Sequence, residues 1–122
     1  MSERGAGSVL TVAVMALLIF VGLAVLGAAH VITARARAAT AADAAALAAA
    51  PATFPPLAAG SSPIAEARRV SAANGARLIS CLCFRVATFE PRHVEVTVVF
   101  PVDLPVLGRR WVEASSAAEF VP

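Results

Sequence analysis

Two cysteines, two histidines, one isolated aspartate and a scatter of arginines are the residues of this chain that could do chemistry. Cys81 and Cys83 stand two apart. In an extended strand their side chains share a face with Cα atoms roughly 7 Å apart. A disulfide brings Cβ atoms to about 3.8 Å, so a bond between these two needs a distorted turn, and the pair is a possible disulfide site in one of two other senses. Each thiol bonds to another chain in an oxidising exterior, or both stay reduced and buried as small apolar residues. His30 and His93 have no carboxylate or cysteine at metal-ligand spacing. Ser80 lacks a nucleophile-elbow context. Gly5 and Gly7 precede an apolar helix, where no phosphate loop can form. The expectation is no catalytic residue, no cofactor, no metal site and no small-molecule substrate: the chain does not read as an enzyme.

The remaining charges point to partners of another kind. The sequence holds 10 basic residues, all arginine, for a net charge of +2. They occur singly or in pairs without interleaved aromatics, which argues against nucleic acid. Asp43 is the only charge between Arg37 and Glu66, and its neighbours three and four residues away, Ala39, Thr40, Ala46 and Leu47, offer no ion partner. It is a solubilising carboxylate or a charge for an arginine on a neighbouring subunit. Small alanine faces would let such helices approach closely.

The element that must position these groups is a long helix. Residues 9–29 carry no charge and no proline, and about twenty apolar residues at 1.5 Å each match the ~30 Å hydrocarbon core. The pattern then continues as ARARAATAADAAALAAA to Pro51, a run rich in the strongest helix former. A membrane span explains the 59% hydrophobic content. Its rival is a signal peptide cleaved near Ala29, but a signal h-region is only about 7 to 15 residues long. Arg4 lies on one side of the span, Arg35 and Arg37 on the other, so the arginine count leans toward a cytoplasmic C-terminal part.

Residues 51–62 hold three prolines with Gly60, Ser61 and Ser62, a fourth proline follows at 63, and the stretch reads as a linker. A helix should start at Pro63 behind an Ser62 cap and close at Gly75, with Ile64, Ala67, Ser71 and Asn74 near one face. Period-two alternation then sets Leu78, Ser80, Leu82, Phe84 and Val86 against Arg77, Ile79, Cys81, Cys83 and Arg85. Val94, Val96, Val98 and Phe100 alternate with Glu95, Thr97 and Val99. A third short strand is expected from Arg110 to about Ser116. Pro101, Leu104, Pro105, Val106 and Leu107 form an apolar loop that packs under the helix or stands exposed, and Trp111 suits a core or membrane-interface anchor. The expected fold is α+β. A long N-terminal membrane-spanning helix extends into an Ala-rich helix, followed by a small domain of one helix and a short antiparallel sheet. The segments are 1–8, a transmembrane helix over 9–32, the extension over 33–50, the linker over 51–62 and the domain over 63–122.

Several of these stretches together resemble a known family. Arg4-Gly5-Ala6-Gly7-Ser8-Val9 opening a membrane helix, followed by Ala41-Ala42-Asp43-Ala44-Ala45-Ala46-Leu47-Ala48, is similar to the N-terminal part of TadE/TadG-like proteins of Flp (tight adherence) pilus systems. Ala65-Glu66-Ala67-Arg68-Arg69 and Asn74-Gly75-Ala76-Arg77-Leu78 are similar to the soluble part of the short actinobacterial TadE-like proteins encoded beside secretion ATPase genes. The resemblance implies a single-pass, minor pilin-like structural or accessory component with its C-terminal domain extracytoplasmic. Its partners would be membrane lipid, other pilin-like or TadE-like subunits and secretion-system membrane proteins. Arg35, Arg37, Asp43 and Leu47 would then serve helix packing and assembly. The glutamate that such chains often carry just inside the membrane helix, used in processing and assembly, is Leu10 here. The cysteine that many relatives carry before the second helix, able to bridge to the Cys81 region, is Ile64. The alternative function is a secreted binding module released near Ala29.

Overall fold

The computed structural model describes residues 3–122; residues 1–2, part of the segment 1–8, lie outside the described residues, and so does the side chain of Arg4. Helix α1 (Glu3–Ala52) is followed by a 3-10 turn (Pro55–Leu57), helix α2 (Pro63–Ala73) and strands β1 (Arg77–Leu82), β2 (Arg92–Leu104) and β3 (Gly108–Phe120). The strands form one antiparallel sheet in the order β1-β2-β3. The expected α+β architecture is present, with a long apolar helix, a second helix and a three-stranded sheet.

The 50 residues of α1 make a rod about 75 Å long that meets two different surroundings. Along its first half every large apolar side chain is bare, Phe20 at 72% exposure among them. Along its second half Ala38, Ala41, Ala42, Ala45, Ala46 and Ala49 are completely buried. The alanine run was expected to pack sideways on neighbouring subunits; instead it faces this chain's own sheet and α2. The reason is in the strand opposite. Val94, Val96 and Val98 of β2 are fully buried on the sheet's inner face, and branched side chains on a strand fit against a helix that offers only methyl groups. Neither surface could be buried without the other.

Local signals place α2 as expected and correct its orientation. The Ser62 side chain accepts a hydrogen bond from the Ala65 amide, and Pro63 fills the first turn. At the other end Ala76 N–H donates to Ser71 O and Gly75 N–H to Ala72 O, with Gly75 at φ 72°, the double closure of a Schellman motif. The buried residues are Pro63, Ala67 and Ser71, whereas Ile64 is largely exposed. Arg69 donates twice to one Glu66 oxygen, at 3.0 and 2.7 Å. That hydrogen bonding, with the charge of Arg69 behind it, holds the Glu66 carboxyl below its ordinary value of 4.5. Any stability from the pair is therefore present above that ordinary value and lost as pH falls through the lowered one.

The sheet departs from the expected pattern in two places. A bulge between Leu78 and Ser80 shifts the register of β1 on β2, which flips the rest of the strand. Leu78 and Cys81 accordingly pack on the core and Cys83 is buried, while Leu82 and Phe84 are exposed. Strand β3 runs well beyond the expected boundaries and pairs with β2 from Arg92–Phe120 down to Leu104–Gly108. Pro101 is tolerated inside β2 because β1 ends its pairing at Val99, leaving that stretch a free edge where a missing N–H breaks no ladder bond.

Replacing Ala45 by Leu should destabilise the fold by about 1–3 kcal/mol through overpacking, whereas Ala39→Leu on the exposed side should leave it near neutral. Thermal unfolding of the full chain in detergent micelles, followed by circular dichroism, distinguishes the two.

Candidate functional site

The bare half of α1 is the most prominent functional surface. It contains a window of mean hydropathy 3.0, none of which is buried. Length and composition therefore permit a membrane crossing. The side chains beyond that window were expected to guide assembly, and the structure separates them. Asp43 and Leu47 lie one turn apart on the side of α1 that faces away from the sheet. Ala36 and Thr40 continue that stripe downward. Arg37 instead lines a mixed cleft with His30, Thr33, Phe100 and Asp103, and Arg35, though exposed, lies well round the helix from Arg37. Among the described residues, Arg35, Arg37 and Asp43 make no ion pair within the chain.

The hairpin formed by β2 and β3 lies lengthwise along the helix. Phe120 at its open end meets Phe54 just after α1, with ring centroids 6.4 Å apart. Its turn, residues 105–107, instead borders a cleft with Leu23, Gly27 and Val31. Thirteen strand residues span about 44 Å, and the helix between Ala52 and Leu23 covers about the same distance. The apolar loop thus does not pack under α2: Val106 and Leu107 stand exposed beside that cleft. Trp111 stands four pairs from the hairpin's open turn, opposite Pro101. Its ring is half exposed on the sheet's outer side, with the Arg77 guanidinium carbon 4.8 Å from its centroid.

At the far end Arg92 ties the chain together. It donates to the backbone carbonyls of Thr53, Val86, Thr88 and Glu90 and lies over the rings of Phe54 and Phe120. The Val86 amide donates to Thr53 O at 3.0 Å, so the strandless stretch 83–91 is held against the end of α1. An arginine after a proline at the start of a strand carried no sequence signal for this role.

Cys81 and Cys83 are joined to each other, with Cα atoms 5.3 Å apart. This corrects the expectation that each is free or bonded to another chain. The 7 Å separation applies only to continuous strand, and β1 ends at Leu82 just before Cys83; the shorter distance lies in the ordinary disulfide range. His30 and His93 are far apart in the fold, and the described residues hold no group of three His, Cys, Asp or Glu placed to bind a metal.

Comparison with known proteins adds one finding. Residues 5–53 match a family model described as putative Flp pilus-assembly TadE/G-like. The match covers α1 from Gly5 onward and stops at Thr53, just short of the 3-10 turn. Neither the curated proteins nor the solved structures yield a match.

Two outcomes follow from this geometry. Arg92→Ala should cost about 2 kcal/mol, since hydrogen bonds from a charged group are among the stronger ones, and should open residues 83–91 to limited proteolysis. Arg92→Lys should not restore protection, because an ammonium has only three donors and no planar fork. Without reductant, the purified chain should run as a monomer and resist alkylation by iodoacetamide; prompt labelling of both thiols would show that the bond does not form.

Proposed function

We propose that this chain is a single-pass membrane component of a Flp/Tad pilus or a related secretion assembly. It acts as a minor pilin-like structural or accessory subunit of the short actinobacterial kind, without enzymatic activity. The observation that carries the reading is the division of α1. A helix matched to the pilus-assembly family leaves its apolar half bare at membrane length and commits its other half to a folded unit. A bare apolar surface of that extent is stable only in lipid or against other helices.

The folded half also bears on the secreted alternative. Cleavage near Ala29 would leave the buried alanines with their sheet, so release would not unfold the core. It would, however, remove Leu23 and Gly27 from beside the hairpin turn and leave that apolar turn in water. The position of the hairpin therefore favours retention. In this reading the sheet and α2 sit on the extracytoplasmic face. Other subunits and secretion-system membrane proteins approach the stripe that carries Asp43 and Leu47, with Asp43 paired to an arginine of a neighbour. Arg35 and Arg37 are the corresponding donors on each copy.

Membrane fractionation joined to protease protection of a C-terminal tag tests the anchor. A retained chain whose tag is digested in intact cells supports the proposal. A released chain supports the secreted module, and a retained, protected tag reverses the topology. Asp43→Ala should lower chemical crosslinking between subunits several-fold while leaving thermal unfolding unchanged; equal crosslinking at matched expression removes Asp43 from the interface.

A further inference from the structure

We propose that the turn of the β2–β3 hairpin is a second membrane contact, dipping into the leaflet from which α1 emerges. It would fix the sheet at a set height against the bilayer. The inference rests on the reading of α1 as a membrane span and goes beyond it by naming a separate segment that meets lipid.

Residues 9–29 fill a hydrocarbon core at about 1.5 Å per residue. The turn borders α1 between Leu23 and Ile32. Its deepest neighbour, Leu23, lies six residues below Ala29, which is about 9 Å along the axis. A straight, unbroken helix forces the hairpin to share that depth, for α1 has no kink or loop between the two regions.

The chemistry of the turn fits the place it is put. Leu104, Pro105, Val106 and Leu107 are consecutive and uncharged. Val106 is 84% exposed, an unfavourable position in water and an ordinary one in acyl chains. Between the turn and α1 lies a cleft of about 460 Å³ whose walls are apolar side chains of both. Lipid tails are the occupant whose chemistry and position both match it. The groups one step higher change character together. Trp111, Arg109 and Arg110 follow the turn on β3, and Asp103 on β2 pairs with Arg109 at 3.0 Å. Arg35 and Arg37 stand on α1 just above the span. An aromatic amphipathic ring and a set of guanidinium groups above an apolar tip is the arrangement that membrane interfaces select. Farther still, the outer sheet face carries polar side chains, with Thr97 and Ser115 hydrogen-bonded to each other at 2.8 Å.

The chain supplies its own probe, since it contains one tryptophan and no tyrosine. The full protein would be reconstituted into vesicles of phosphatidylcholine with some phosphatidylglycerol, and flotation would confirm that it is bound. In vesicles made with lipid brominated near the headgroup end of the acyl chains, Trp111 emission should be blue-shifted and fall by about half, because the ring sits at the interface. Aqueous iodide should quench it weakly. A second probe, Val106→Trp combined with Trp111→Phe, should be quenched more strongly and by bromines placed deeper. The pair Val106→Asp and Leu107→Asp, both at exposed positions, should shift Trp111 emission toward the value in water while circular dichroism stays unchanged.

A protein that floats with the vesicles, yet whose two tryptophan probes are quenched by iodide and not by bromolipid, overturns the hairpin contact and leaves the anchor standing. A protein that does not float overturns both. Blue-shifted probes indifferent to bromolipid and dependent on protein concentration would assign the turn to a second copy of the chain, which also overturns the proposal.

Discussion

The close contact between an alanine face and a valine face holds the rest of this structure in place. On its own, the alanine half of α1 would be a helix with little apolar surface to bury, and isolated helices of such length are marginal in water. The sheet alone would expose one whole side of β2. Together they bury Ala42, Ala45, Ala46 and Ala49 against Val94, Val96 and Val98. Alanine is what makes the fit possible: any longer side chain on that face would lift the sheet and open voids around the valines. The same residue keeps the helix continuous, because it carries the highest helix propensity. One residue type therefore supplies the straightness of the rod and the seat of the sheet.

Straightness has a mechanical consequence. Many anchored domains hang from a flexible linker, so their height above a membrane is a distribution. Here the apolar half of α1 and the core are successive turns of one helix, and their separation is fixed by 1.5 Å per residue. The hairpin, seated on that helix along its length, inherits the same constraint. Its polarity follows the axis, from an apolar turn beside Leu23 through Trp111 and the arginines to the polar outer face. At the opposite end Arg92, Phe54, Phe89 and Phe120 clamp the loop and the end of α1 together. That end of the sheet is thereby tied to the helix, while at the other end a cleft separates the turn from it.

How much of this could be read from the sequence depended on whether the signal was local. The ends of α2 were legible because caps are local: Ser62, Pro63 and Gly75 each satisfy groups within a few residues. The alternation of β2 was legible because its inner valines face a continuous partner. The outward flip of β1 after Leu78 was not, since a bulge is decided by pairing across the sheet and leaves no mark in the strand's own pattern. The Cys81–Cys83 bond was missed for the same reason, as it depends on where the strand stops. Most instructive is the alanine run. Its composition correctly indicated close packing, but composition is silent about whether the partner is another subunit or the chain's own strands, and β2 lies some fifty residues downstream. Arg92 shows the limit from the other side, because its four carbonyl partners come from segments that only the folded state brings together.

The way α1 is covered also restricts how subunits could meet. Above Ala34 the sheet and α2 occupy one side of the helix, so a neighbour cannot pack around it freely, as it could around the bare half below. What remains accessible is the stripe through Ala36, Thr40, Asp43 and Leu47. A small residue, a hydroxyl, a carboxylate and one leucine make a surface too polar for spontaneous burial and too apolar to be ignored, and burying Asp43 there would require a cation from the partner. Below the interface the constraint reverses: lipid-facing helices associate through close packing and polar contacts, since the hydrophobic effect offers nothing between them. Leu10 adds no charge at that depth. In the proposed assembly, specificity would therefore come from the wet half of the helix, where one uncovered stripe carries the only acidic residue of α1 beyond its apolar half.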